Sequence, residues 1–109
     1  MTTIQELTKK LILFRDERDW DQFHNPKDLS LALSIEASEL LEVFLWKTPE
    51  DADPEKISEE LADVFAYALL LADRCNLDVH KIVEEKILKN SLKYPVELSK
   101  GSAKKYNEI

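Results

Sequence analysis

The chain has one cysteine, one glycine and one methionine in 109 residues, and its 15 Lys and Arg are outnumbered by 22 Asp and Glu. A lone Cys75 excludes an internal disulfide, and its setting in LLLADRCNL reads as a buried helix position in a reducing compartment. With one glycine and four prolines, a strand-rich or disordered chain is disfavoured and long helices are expected to dominate. No apolar run approaches the ~20 residues needed to span a bilayer, and Met1 to Lys10 holds no apolar core of signal-peptide length. The expectation is a cytoplasmic protein with no membrane partner. A formal net charge of -7 leaves no basic stripe for a nucleic acid polymer, so any anionic ligand needs cations as intermediaries.

What is present is a 44% hydrophobic, 34% charged chain of ordinary single-domain length. One domain over residues 1–109 is expected, all-α, with four main helices in a bundle. A monomer of this size buries only roughly two-thirds of its unfolded surface, which favours pairing with further copies as a homodimer or homotetramer.

Local signals divide the chain. Thr2 or Thr3 caps a first helix to about Asp19, with Ile4, Leu7, Leu11 and Phe14 spaced as a core-facing stripe. Trp20 to Asn25 breaks that pattern as a loop with exposed aromatics. Asn25 as N-cap and Pro26 at the first helical position open a second helix to about Trp46 or Lys47, and Asp53-Pro54 repeats the signal for a third, reaching about Asn76. Asp78 caps a fourth through Lys93 or Tyr94, where Pro95 stops it. Residues 96–109 are too poor in apolar side chains for a core element and form a surface or partner-contacting tail.

At about 100° per residue, Leu29, Leu33, Glu36, Leu40 and Val43 share one face of the second helix, with Glu36 near its centre and Glu39 at its edge. On the third helix Glu60, Asp63, Val64, Tyr67 and Leu71 do the same, and the two acids are again three residues apart. Four partly buried carboxylates without compensation are costly by desolvation and mutual repulsion. Between Lys27 and Lys47 on the second helix, and between Lys56 and Arg74 on the third, there is no Lys or Arg, so a metal ion is the better neutraliser. All-carboxylate ligation selects hard ions such as Mg²⁺ or Mn²⁺. A redox di-iron bundle wants Glu-x-x-His, which neither His24 nor His80 supplies. The competing reading is a pair of solvated, acid-rich helix faces.

Glu36-x-x-Glu39, followed after 20 residues by Glu60-x-x-Asp63, together with PKDLSLALSIEASELLEVFLW and KNSLKYPVE, resembles the MazG-like nucleotide pyrophosphohydrolases. These belong to an all-α group that includes dimeric dUTPases and dCTP pyrophosphatases, and the match runs from about Trp20 to Gly101. The resemblance implies a Mg²⁺-dependent, house-cleaning conversion of a nucleoside triphosphate, by analogy a deoxynucleotide, to the monophosphate and pyrophosphate. It implies Glu36, Glu60 and Asp63 as metal ligands and Glu39 as ligand or water-orienting base. Trp20, Trp46 and Tyr67 match positions around the base and sugar, although Trp46 and Tyr67 equally suit bundle core. His24 is a candidate donor to base or phosphate, or an ordinary residue before a helix. Lys86, Asn90 and Lys93 match positions near phosphates and sugar, against a solvated-face reading, and Tyr94 is a lid residue or a helix stop. The alternative function is a non-catalytic helical interaction or regulatory module.

Overall fold

Each long helix begins where a short polar side chain accepts an N–H group that the first turn leaves free. In a computed structural model describing residues 3–109, α1 (Ile4–Glu17) opens on Thr3. The Thr3 hydroxyl accepts from the Glu6 N–H while the Glu6 carboxylate accepts from the Thr3 N–H, a reciprocal capping box. Thr2, the other expected cap, lies outside the described residues. Helix α2 (Pro26–Glu42) opens on Asn25, α3 (Pro54–Arg74) on Asp53 and α4 (Val79–Lys93) on Asp78, each side chain accepting from a first-turn N–H. Among the described residues there is no strand.

Helix ends depart further from expectation than helix starts. Helices α1 and α3 finish in the same motif, in which a residue at positive φ turns the chain and its own N–H and the next return to the last carbonyls. After α1, Asp19 (φ 55°) and Trp20 donate to the carbonyls of Asp16 and Arg15. After α3, Asn76 (φ 56°) and Leu77 donate to those of Asp73 and Ala72. The second helix was expected to reach Trp46 or Lys47 but ends at Glu42. There the bonding tightens to i→i+3 links at Val43, Phe44 and Leu45, and Trp46 then adopts φ 61°. The tail is not wholly irregular, since Val96–Ser99 forms a one-turn helix α5 and Gly101 takes φ 77° just beyond it.

The chain divides into two compact units, Met1–Leu77 and Asp78–Ile109. In the first, α2 and α3 form the principal helix pair and α1 lies against α3. Leu29, Ala52, Leu69, Leu70 and Ala72 are its buried apolar residues. Two expectations fail here. Ile4, Leu7 and Phe14 of the α1 stripe are exposed because α3 is the helix that α1 chiefly meets, and the buried residue on α1 is instead Arg15. Cys75 is exposed because α3 stops at Arg74, so the thiol sits on the capping residue and not on the core-facing stripe. The second unit comprises α4, α5 and the tail, with the Tyr94 and Tyr106 rings edge to face at 6.3 Å.

Candidate functional site

The helical spacing that put two carboxylates on each of α2 and α3 brings the two pairs together where those helices pack. Glu36, Glu39 and Glu60 are half-buried and Asp63 is exposed. One carboxylate oxygen from each of Glu36, Glu60 and Asp63 lies within 4.8 Å of the others, a spacing one cation can span. Oε2 of Glu36 and Oε2 of Glu60 are both buried without a hydrogen-bond partner. Buried acceptors are normally satisfied, so two orphaned oxygens facing one cluster favour a cation as their partner.

The electrostatics agree. A hydrogen bond to Glu39, then burial, then the charges of Glu39, Asp63 and Glu60 push the Glu36 carboxyl up to about 7. Glu60 is raised too, by burial first and then by the charge of Glu39, a hydrogen bond to it and the charge of Asp63. Like charges this close resist full ionisation, so Glu36 and Glu60 give up their protons less readily than separate carboxylates do. An all-oxygen donor set fits a hard divalent ion and lacks the His and Cys that zinc or copper favour. Glu39 lies outside the three-ligand grouping yet touches both Glu36 and Glu60.

One helical turn after Asp63, Tyr67 is half-buried, and its phenol is raised by burial and by the charges of Glu36, Asp63 and Glu39, which keeps its O–H a donor. The His24 ring meets Tyr67 edge-on, centroids 6.4 Å apart. His24 is half-buried, its Nδ1 has no partner, and burial followed by the charge of Arg15 lowers its pKa, so it is neutral at physiological pH. An open cleft of about 420 Å³ runs beside the carboxylates, lined by Glu39, Glu42, Val43, Lys56, Glu59 and Glu60.

Trp20 is 44% exposed and rests edge-on against Phe14 at 5.9 Å. Trp46 is 94% exposed at the end of the turn after α2, so it does not fill the core. Lys86, Asn90, Lys93 and Tyr94 belong to the second unit, where all four are exposed and the Lys93 ammonium sits 5.0 Å over the Tyr106 ring. Lys56, the one basic residue lining the cleft, was missed because nothing local distinguishes it from a surface lysine. A second polar cluster was also missed, in which Asp21 is ion-paired to both Arg15 and Arg74. Its signal was legible in part: Arg15 follows Leu11 by four residues on the same face, a charge where the stripe calls for an apolar residue, as with Glu36.

Comparison with known proteins gives this geometry its context. The chain is 40% identical over 115 residues to dCTP pyrophosphatase 1 of Rattus norvegicus, covering 98% of this chain and 68% of that protein. It is 38% identical to dCTP pyrophosphatase 1 of Homo sapiens with the same coverage. Among solved structures, a pyrophosphatase from Archaeoglobus fulgidus superposes with a TM-score of 0.80 at 37% identity, over 87% of this chain and 94% of that one. Residues 31–109, which carry all four acids, match the MazG-like family, and the chain belongs to that family.

Proposed function

We propose that the carboxylates of α2 and α3 form the catalytic centre of a Mg²⁺-dependent enzyme that converts a deoxynucleoside triphosphate to the monophosphate and pyrophosphate. As a member of the MazG-like family with dCTP pyrophosphatases as relatives, the chain is a nucleoside triphosphate pyrophosphohydrolase. The observation that carries the assignment to this site is the convergence of Glu36, Glu60 and Asp63 with two buried, unpartnered oxygens.

Glu36, Glu60 and Asp63 hold the cation, with Mg²⁺ as the proposed ion and Mn²⁺ as a substitute, because the donor set is oxygen alone. When bound, the ion offsets the charge of the triphosphate and acidifies water. Glu39, beside the ligands, orients the attacking water and accepts its proton as oxygen bonds to the α-phosphorus and the bridging α–β oxygen leaves with pyrophosphate. Tyr67 donates from its protonated hydroxyl, while Trp20, His24 and Trp46 receive the base and sugar by stacking and hydrogen bonding. Lys86, Asn90 and Lys93 serve the phosphates and sugar, and Tyr94 contacts the substrate as a lid residue. The relatives' substrate makes dCTP the first base to test.

The domain is proposed to be one functional unit over residues 1–109, working in the cytoplasm, where the free thiol of Cys75 stays reduced. It is proposed to act as a homodimer or homotetramer. Support comes from Leu31, Ile35, Leu41 and Phe65, which lie 53–70% exposed on the helices that carry the acids, more apolar surface than a lone domain ordinarily leaves wet. The decisive experiment supplies a panel of canonical and modified dNTPs with Mg²⁺ and identifies the products. Release of pyrophosphate and a monophosphate is expected, and no turnover across the panel would reject the proposal.

A further inference from the structure

The turn between α1 and α2 is short, yet it is fastened at every residue. Asp19, at positive φ, sets the direction of the chain, and the Trp20 N–H returns to the Arg15 carbonyl at 3.1 Å. The Gln22 amide donates to both the carbonyl and the carboxylate of Asp19. The Phe23 and His24 N–H groups close a single 3-10 turn onto the carbonyls of Trp20 and Asp21. These links are local and hold the turn only to itself and to α1.

Beside the His24–Tyr67 ring contact, ion pairs of Asp21 tie the turn to the rest of the first unit. A single oxygen of Asp21, Oδ1, accepts from the guanidinium of Arg74 in the last turn of α3 and is ion-paired with that of Arg15 on α1 at 3.3 Å. Arg15 is 8% exposed and spends its remaining donors on Asp16, with Nε at 3.0 Å and a terminal nitrogen at 2.9 Å. Arg74 belongs to the helix that carries Glu60, Asp63 and Tyr67. The bridge therefore spans 53 residues of sequence and joins the aromatic turn to the acid-bearing helix, on the side where His24 meets Tyr67. Burying an arginine is unfavourable unless its charge is paired and its donors are used, and here that pairing is shared between Asp16 of α1 and Asp21 of the turn.

We propose that Asp21 is a positioning residue for nucleoside recognition: bridged by Arg15 and Arg74, it fixes the Trp20–His24 turn to α3 and so presents Trp20 and His24 to the base and sugar. It takes no part in the phosphoryl chemistry. This rests on the reading above that Trp20 and His24 receive the nucleoside. A guanidinium-to-carboxylate bridge that orients a binding segment governs how often the free protein is competent to bind, so its loss acts on KM and leaves the committed complex little changed.

The test compares Asp21→Asn, Asp21→Glu and Arg74→Gln with wild type by steady-state hydrolysis of dCTP with Mg²⁺, by Mn²⁺ titration without nucleotide, and by acrylamide quenching of Trp20 fluorescence with Trp46→Phe as common background. Asp21→Asn and Arg74→Gln are expected to raise KM about tenfold with kcat within about threefold, the loss of one or two charge-assisted hydrogen bonds. Mn²⁺ affinity should not move, quenching of Trp20 in the free protein should rise, and Asp21→Glu should recover part of the KM. Unchanged KM and quenching in folded variants would overturn the proposal, as would a fall in kcat and Mn²⁺ affinity at constant KM. Should Asp21→Asn not fold, Arg74→Gln alone decides, because it removes the same bridge from the α3 side and leaves Asp21 paired with Arg15. If wild type hydrolyses no dNTP, the enzymatic reading fails by itself, and the quenching arm still reports whether Asp21 immobilises the turn.

Discussion

Two clusters of ionisable side chains sit on the same helix α3, and they are built on opposite principles. Near its middle, Glu60 and Asp63 meet Glu36 and Glu39 of α2, with charge of one sign and two buried oxygens unpartnered. At its end, Arg74 joins Arg15, Asp16 and Asp21, two positive charges against two negative. The balanced cluster is complete within the chain. The unbalanced one is held together by the surrounding helices against its own repulsion, which a cation from outside would relieve.

The contrast can be broken most decisively at the acids. Asp63→Asn or Glu36→Gln should lower kcat/KM by about 100-fold or more, since a metal ligand is lost, while the metal-free variant melts at a higher temperature than wild type. Melting curves with and without Mn²⁺ would check both halves, and a variant less stable than wild type without metal would show that the acids are not in conflict. The balanced cluster predicts the reverse. Arg15→Ala should destabilise the protein by about 2 kcal/mol in urea, with or without metal, because it strips a buried arginine from two carboxylates that remain. The figure is kept below that of a fully buried pair, as Asp16 and Asp21 are half exposed.

The smallest expected effect sharpens the sign. The Glu36 carboxyl is raised to about 7 in the folded chain from an ordinary 4.5, so its contribution to stability is greatest below pH 4.5 and is lost as pH rises through about 7. Metal-free protein should therefore melt lower at pH 8 than at pH 5. Saturating Mn²⁺ should flatten or invert that slope, because the ion binds the deprotonated cluster. A melting temperature independent of both pH and metal would contradict the cluster's described electrostatics.

Much of this arrangement was legible in the chain because its signals are local. Asn25-Pro26, Asp53-Pro54 and Asp78 act on N–H groups two or three residues away, and all three mark helix starts in the structure. The two acid pairs were legible for a related reason: three-residue spacing fixes a common helix face wherever the helix packs. What stayed hidden depends on distant partners. The exposure of Ile4, Leu7 and Phe14 is decided by which helices α1 meets, and the Asp21–Arg74 bridge joins residues far apart in sequence, so no local pattern announces either. The early end of α2 was missed because Val43 to Trp46 is apolar enough to continue a helix, and only the tightened bonds and the positive φ of Trp46 reveal the turn.

The residues at positive φ reach beyond the turns they make. Asp19, Trp46 and Asn76 each occupy a conformation that glycine adopts freely, in a chain whose one glycine is Gly101. A side chain at such a position carries strain of roughly 1–2 kcal/mol in the folded state, yet it also narrows the ensemble the unfolded chain explores. Reversals that other chains give to glycine are here made by residues with side chains, so the cost lies in the folded turn, and a glycine at Asp19 or Trp46 would relieve that strain while widening the unfolded ensemble.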